Sequence, residues 1–362
     1  MLSQRSFRFV FTKLKILEPQ NARNRSTFYC NTDERNYNKL KVIDDPETRL
    51  LKVGIIGVPN SGKSTLINYL MDRKTCPTSS KVHTTRSKSM AVFTEGDSQV
   101  VFLDTPGLVN ENEKHKYKLG NTFLQDPKNG LNDADIIGVV HDVSNNYTRE
   151  RLDIKIIHIL EYHNHKPSFL ILNKIDLLKS KRKLLDITRL ITDNCIDGKP
   201  IPTSSPKRGA NKNKEIRGWP YFKDIFMVSA LIGDGLHDLK SYLMRNAKPA
   251  KWEFSKEVWT DQTAESLIQK LVQAKLLDFL PQEIPYLLKA EIELLDVNEE
   301  GTITTSVVIK SPSLRISKLV AGAGDGRLRQ IIQSAQDDLQ NAFKTYVRLR
   351  IILDPSPNTV LS

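Results

Sequence analysis

Gly57-Val58-Pro59-Asn60-Ser61-Gly62-Lys63-Ser64 is the stretch that decides the fold of the first large domain. Two glycines, a lysine and a hydroxyl residue stand at the offsets of a phosphate-binding loop. The apolar run at 52–56 suits a buried parallel strand, and residues 65–70 have the apolar spacing of a helix. The order strand, loop, helix predicts a P-loop and disfavours the alternative of an ordinary glycine-rich turn.

In such a loop the backbone N–H groups point at phosphates and the helix N-terminus adds a favourable dipole. Lys63 is expected to reach the β- and γ-phosphate oxygens, and the Ser64 hydroxyl is expected to ligate Mg²⁺. The residues predicted to contact the triphosphate are Gly57, Val58, Pro59, Asn60, Ser61, Gly62, Lys63, Ser64 and Thr65.

Asn173-Lys174-Ile175-Asp176 follows the apolar run at 169–172 and therefore lies at the carboxyl end of a predicted parallel strand, where ligands bind in open α/β sheets. The Asp176 carboxylate can accept hydrogen bonds from N1–H and the exocyclic amine of guanine, which adenine cannot supply. The expected ligands are therefore GTP and GDP. Asn173, Lys174 and Asp176 are assigned to the base, together with a second loop after the strand-like run at 225–228, formed by Ser229, Ala230 and Leu231.

A switch is predicted where Asp104-Thr105-Pro106-Gly107 ends the apolar run at 100–103. Asp104 is expected to hold Mg²⁺ through water, and the Gly107 N–H to bond the γ-phosphate, so that phosphate loss releases the loop. Thr105 and Pro106 are assigned to the same GTP site. In the stretch 83–86, Thr85 is expected to complete the Mg²⁺ shell; Thr84 is the alternative, and an ordinary exposed loop is a further reading.

Taken together, these motifs resemble those of the Era family of translation-factor-type GTPases. The resemblance extends to Leu280-Pro281-Gln282-Glu283-Ile284-Pro285-Tyr286 and the strand-like run at 287–292, which look like the entry to that family's C-terminal KH domain. It covers about residues 50–355. The fold it implies is an α/β doubly wound P-loop GTPase domain followed by a smaller α+β KH domain.

The function implied by the resemblance is a GTP-hydrolysing chaperone of small-subunit ribosomal RNA in ribosome assembly. With the basic N-terminus described below, the expected partner is the small mitochondrial ribosomal subunit. Lys63, Asn60, Thr85 and Gly107 are the catalytic residues that the resemblance implies. Leu108 stands where signalling GTPases place a water-orienting glutamine. In similar hydrophobic-substituted GTPases the residue matching Asn60 is associated with a bound K⁺, although Asn60 can equally serve only to shape the loop.

The KH resemblance has one departure in its Gly-x-x-Gly loop, which grips about four nucleotides. Here the loop reads Gly322-Ala323-Gly324-Asp325, with an acid in place of the second glycine. An RNA clamp and a KH scaffold that no longer grips RNA both remain open. The residues assigned to RNA are Lys318, Gly322, Gly324, Arg327 and Arg329.

The first 30 residues carry six bases against the single acid Glu18, interleaved with apolar residues, as in a mitochondrial presequence. Matrix localisation is therefore expected, with a basic RNA-binding arm as the alternative. The bases are Arg5, Arg8, Lys13, Lys15, Arg23 and Arg25. The chain should be a monomer, and peripheral association with the inner membrane stays open.

Composition supports this organisation. The 362 residues, 39% of them hydrophobic, suffice for two cores, and no stretch is long and apolar enough to be a transmembrane helix. A net charge of +12 suits an RNA partner, and three cysteines without metal-ligand spacing suit a reducing compartment. The expected segments are a presequence at 1–30, a linker at 31–49, the GTPase domain at 50–246, a linker at 247–255 and the KH domain at 256–362.

A basic, Pro/Gly/Ser/Asn-rich insertion is expected within the GTPase domain at about 196–222, where it either touches RNA phosphates or is merely solvated. The main rival function is a GTPase switch for a protein or membrane partner, with a KH-like module that does not bind RNA. A GTPase assisting tRNA modification is disfavoured, because no cysteine follows Cys195.

Overall fold

A computed structural model describes residues 48–78, 89–104, 130–202, 218–281 and 283–355, with only the backbone of Ser89 and Asp104. The expected presequence, the stretch 83–86, residues 105–108 and most of the basic insertion lie outside these ranges. Within them, no helix is both long and apolar enough to span a membrane.

The first part of the chain is built on a seven-stranded sheet. Its strands are β1 (Arg49–Ile56), β2 (Ser89–Glu95), β3 (Ser98–Asp104), β4 (Ile136–Asp142), β5 (Ser168–Asn173), β8 (Phe222–Met227) and β9 (Lys248–Pro249). The order is β2-β3-β1-β4-β5-β8, and β9 pairs with the start of β1. All neighbours are parallel except β2 with β3 and β9 with β1, so β1, β3, β4, β5 and β8 end at the same edge.

Helices cover both faces of this sheet, as expected for a doubly wound fold. They are α1 (Lys63–Leu70), α2 (Ile154–Tyr162), α3 (Arg182–Ile191) and α4 (Leu236–Asn246). Alternate residues of the buried strands explain the two layers. In β4, Ile136 and Val140 join the core beneath α1 and α4, whereas Ile137 and Val139 join the core beneath α2 and α3. The predicted fold class is confirmed.

The expected insertion begins as a short hairpin of β6 (Cys195–Ile196) and β7 (Lys199–Pro200). Its far end differs from the expectation of a coreless segment, because Trp219 and Phe222 are buried in the core beneath α2 and α3. The Trp219 N–H donates to the carbonyl of Ile191 at the end of α3. The coreless part is therefore shorter than 196–222.

The second part of the chain has the order α5 (Ala264–Phe279), β10 (Lys289–Val297), β11 (Ile303–Lys310), α6 (Leu314–Ala321), α7 (Gly326–Phe343) and β12 (Val347–Asp354). Its sheet runs β10-β11-β12, antiparallel and then parallel. One face of α7 buries Ile331, Ala335, Leu339 and Ala342 at helical spacing against α5 and the sheet. This α+β unit agrees with the expected KH-like domain.

Two sets of contacts join the parts. The edge strand β2 gains a partner, because the Val92 N–H donates to the Trp259 carbonyl and Thr260 Oγ1 donates to the Met90 carbonyl. After α1, the Lys74 N–H donates to Asn341 Oδ1 at 2.9 Å, at the end of α7. The expected linker at 247–255 also contributes β9 to the first sheet.

Candidate functional site

The loop at 57–62 connects β1 to α1, as the sequence predicts. Asn60 and Gly62 both have positive φ, 59° and 97°, which turns the backbone tightly before the helix. Lys63 is buried, and its Nζ donates to the carbonyls of Gly57 at 3.0 Å and Val58 at 3.1 Å. The ammonium therefore lies over the loop in which the phosphates are expected.

The two glycines of the loop are required by close packing. A Cβ on Gly57 would lie 2.5 Å from the carbonyl oxygen of Val140 in β4, and one on Gly62 would lie 2.2 Å from Nδ2 of Asn173. The loop is thus pressed against the ends of two neighbouring strands, which places it next to the predicted base-binding residues.

Asn173 connects three predicted segments of the site. Its Nδ2 donates to the Ser61 carbonyl at 2.8 Å, and its Oδ1 accepts from the Ala230 N–H at 2.9 Å. The side chain is buried. It therefore couples the phosphate loop to both predicted base-binding loops.

The remaining base-site residues lie at the ends of β5 and β8. Lys174 has a left-handed backbone, with φ 68°, and Asp176 is exposed in a 3₁₀ turn at Ile175–Leu177. Ser229 is buried at the end of β8, and Leu231 is exposed over 76% of its surface. The two segments are joined by the bond from the Ile175 N–H to the Val228 carbonyl, and an exposed carboxylate on one with an exposed apolar side chain on the other suits a flat base with polar edges.

Two buried hydroxyls fit a bound nucleotide. Within the part of the chain that the structure describes, Ser61 Oγ and Ser229 Oγ have no hydrogen-bond partner. Leaving such a group unsatisfied costs about 1 to 3 kcal/mol. Both lie in segments assigned to GTP, so polar atoms of a nucleotide are suitable partners.

The expected Mg²⁺ ligands are only partly described. Ser64 lies in the first turn of α1, and Asp104 ends β3 opposite Ile55 of β1, so the two come to the same edge of the sheet. Hydroxyl and carboxylate oxygens are the donors that Mg²⁺ prefers, and the pair fits that ion. Thr84, Thr85, Thr105, Pro106 and Gly107 lie outside the described residues.

One polar residue at this edge was not selected by the sequence analysis. Asp142 ends β4, and its Oδ2 accepts from Lys174 Nζ at 2.6 Å. The signal that could have found it resembles the one that found Asn173, an acceptor close after a buried apolar run, here two residues beyond the run at 136–140.

The loop between α6 and α7 has an unusual backbone. Gly322, Gly324 and Asp325 have φ of 75°, 53° and 59°, so the acid takes a conformation that favours glycine. Arg327 is not a free cation, because one of its guanidinium nitrogens donates to the Leu319 carbonyl at 2.5 Å.

Lys318 and Arg329 are exposed on either side of this loop. Of the predicted RNA-binding cations, these two are therefore the ones directed to solvent, whereas Arg327 also closes the end of α6.

Comparisons with known proteins cover both parts of the chain. A family model described as 50S ribosome-binding GTPase matches residues 52–174. Mitochondrial GTPase Era of Danio rerio is 38% identical over 343 residues, covering 86% of this chain and 77% of that protein. Its counterpart in Salmo salar is 35% identical over 351 residues, covering 85% and 77%.

A crystal structure of Era in complex with MgGDPNP and nucleotides 1506–1542 of 16S ribosomal RNA superposes with a TM-score of 0.68 at 23% identity. The match covers 86% of this chain and 95% of the solved chain, so the fold is shared across both parts.

Proposed function

Because this chain belongs to the Era family of GTPases and hydrolyses GTP, we propose that it uses the GTP cycle to time binding of small-subunit ribosomal RNA during mitochondrial ribosome assembly. The observation that carries this proposal is the 38% identity to a mitochondrial Era over 86% of the chain. That match spans the KH-like part as well as the GTPase part.

The chemistry follows from the loop geometry. Charge builds on the β/γ bridging oxygen as the terminal phosphoryl group leaves. Lys63, already held over the loop by two carbonyls, neutralises that charge, and the loop N–H groups bind the non-bridging oxygens. Ser64 directly and Asp104 through water would hold Mg²⁺, which would supply Lewis-acid stabilisation when bound.

Position 108 is a leucine, so no glutamine side chain orients the water that attacks the γ-phosphate. Asn60, exposed and left-handed at the start of the turn, is the residue proposed to hold K⁺ near the phosphates. Thr85 and Gly107 stay predicted as the Mg²⁺ ligand and the γ-phosphate donor.

RNA binding is proposed for the α6–α7 loop. Two exposed cations, Lys318 and Arg329, flank it, and Gly322 and Gly324 allow close backbone approach. The related solved protein was crystallised in complex with a 16S ribosomal RNA fragment, which supports the same class of ligand here. Asp325 opposes phosphate approach and should limit the affinity.

The experiment measures affinity for a single-stranded small-subunit rRNA 3′ fragment across a salt series, with a GTP analogue or GDP bound. Lys318→Ala with Arg329→Ala should lower the log–log salt slope by roughly two units, about one for each phosphate contact. The matched control is Arg245→Ala with Lys248→Ala, which removes the same charges from exposed positions in the GTPase part.

Equal slopes in both double variants would show that RNA does not use this loop. No RNA affinity in either nucleotide state would favour the rival function, a GTPase switch for a protein or membrane partner. Matrix localisation, a monomeric state and peripheral inner-membrane association stay predictions. Fractionation of mitochondria with the tagged full chain tests the two locations, and light scattering on the purified chain tests the monomeric state.

A further inference from the structure

Lys174, the lysine of the guanine-binding motif, is held by a carboxylate from a different strand. Its Nζ lies 2.6 Å from Oδ2 of Asp142. The Lys174 side chain is 30% exposed and that of Asp142 15%, so the pair is partly shielded from water. Such shielding strengthens an ion pair relative to an exposed one.

Asp142 is itself fixed on its other side. Its Oδ1 accepts from the Ser144 N–H at 2.8 Å and from Ser144 Oγ at 2.6 Å. Both carboxylate oxygens are thus used, one on the loop after β4 and one on Lys174. The orientation of the carboxylate is therefore set before any ligand arrives.

The position of Asp142 in the sheet explains why it can reach Lys174. β4 lies between β1, which leads into the phosphate loop, and β5, which leads into the guanine motif. Asp142 is paired in register with Asn173, the residue just before Lys174. Asp142 therefore stands between the phosphate and base halves of the site.

Lys174 needs such a partner for two reasons. Its backbone has φ 68°, a conformation that costs energy for any residue with a Cβ. Its side chain has four rotatable bonds and loses much rotamer freedom when ordered. A fixed ammonium constrains both the side chain and the turn that presents Asp176.

We propose that Asp142 is a positioning residue for guanine-nucleotide binding, which holds Lys174 in its binding conformation before the nucleotide enters. Asp142 acts through Lys174 and not on the phosphates. It should slow nucleotide dissociation for GTP and GDP alike, because the base is common to both. It should leave the hydrolysis of bound GTP unchanged.

The test is Asp142→Asn, which keeps the shape of the side chain and removes its charge. Stopped-flow dissociation of a fluorescent GDP should be roughly 10-fold faster, while single-turnover hydrolysis of saturating GTP stays within about twofold of wild type. The matched control is Glu253→Gln, which removes the carboxylate of the Lys52–Glu253 pair, 2.9 Å long, in the first half of β1 and away from the phosphate loop. It should dissociate GDP at the wild-type rate.

A double-mutant cycle separates positioning from general support of the fold. Lys174→Met should itself speed dissociation, and adding Asp142→Asn to it should change the rate by less than about twofold. An equally large effect of Asp142→Asn in the Lys174→Met background would overturn the proposal. A wild-type dissociation rate in Asp142→Asn alone would overturn it as well.

Ser144→Ala is the second variant for the dissociation assay, used if Asp142→Asn does not fold. It removes the hydroxyl that holds Oδ1 and leaves the ion pair in place. Dissociation should be about two- to threefold faster, and a wild-type rate would count against the proposal.

Discussion

Gly62→Ala is the substitution whose effect the structure defines most sharply. Gly62 has φ 97°, and an added Cβ would lie 2.2 Å from Nδ2 of Asn173. Asn173 would have to move, and it would lose its bonds to the Ser61 carbonyl and the Ala230 N–H. We therefore expect the phosphate loop to lose its connection to both base-binding loops.

The expected effect of Gly62→Ala has two separable parts. Backbone strain at positive φ costs about 1 to 2 kcal/mol and lowers stability in the free and the bound protein equally, by roughly 2 to 8 °C in melting temperature. Loss of two hydrogen bonds at a buried side chain costs about 2 to 4 kcal/mol. Because nucleotide binding needs that arrangement, this second part appears as a roughly 30- to 1000-fold weaker Kd for GDP.

Gly96→Ala is the matched control. Gly96 also has positive φ, 61°, but an added Cβ meets nothing within 4 Å. Gly96→Ala should lower the melting temperature by the backbone part alone, roughly 2 to 8 °C, and should bind fluorescent GDP as the wild type does. A Gly62→Ala protein that keeps wild-type GDP affinity, or a Gly96→Ala protein that loses it, would refute the argument from Asn173.

Three further outcomes are expected. Asp176→Asn should shift base preference from guanine toward xanthine in competition binding, because an amide donor can face the extra carbonyl; unchanged GTP affinity would remove Asp176 from the site. Replacing K⁺ by Na⁺ at constant ionic strength should slow single-turnover hydrolysis, and Asn60→Ala should abolish the difference; equal wild-type rates would leave Asn60 a structural role. Burial holds the pKa of His141 below its ordinary value of 6.5, so the unfolded chain takes up the proton first and stability should fall as the pH drops below about 6.5. Denaturant titrations at several pH values should show that the free energy of unfolding depends less on pH in His141→Gln than in the wild type. Parallel pH profiles would exclude this histidine as the source of the dependence.

The local part of the site could be predicted because it depends on short stretches of chain. A buried parallel strand needs a continuous apolar run, and a phosphate loop needs glycines at fixed offsets, so Gly57, Gly62 and Lys63 can be placed on a strand–loop–helix unit without coordinates. The same reasoning places Asn173 and Ser229 after their strands, and the structure shows both at the predicted edge of the sheet.

Contacts between distant segments could not be predicted in this way. The bonds from Asn173 to Ser61 and Ala230, and from Lys174 to Asp142, depend on the strand order β1-β4-β5-β8. That order is set by the packing of apolar surface across the whole sheet, and a sequence pattern contains no information on which strands become neighbours. The hydrogen bond from Arg327 to the Leu319 carbonyl likewise depends on how α6 and α7 pack. The sequence by itself thus determined the strand–loop–helix unit and predicted which residues bind nucleotide. Only the tertiary structure decided which of them hold one another in place, because side chains far apart along the chain meet only once the cores have formed.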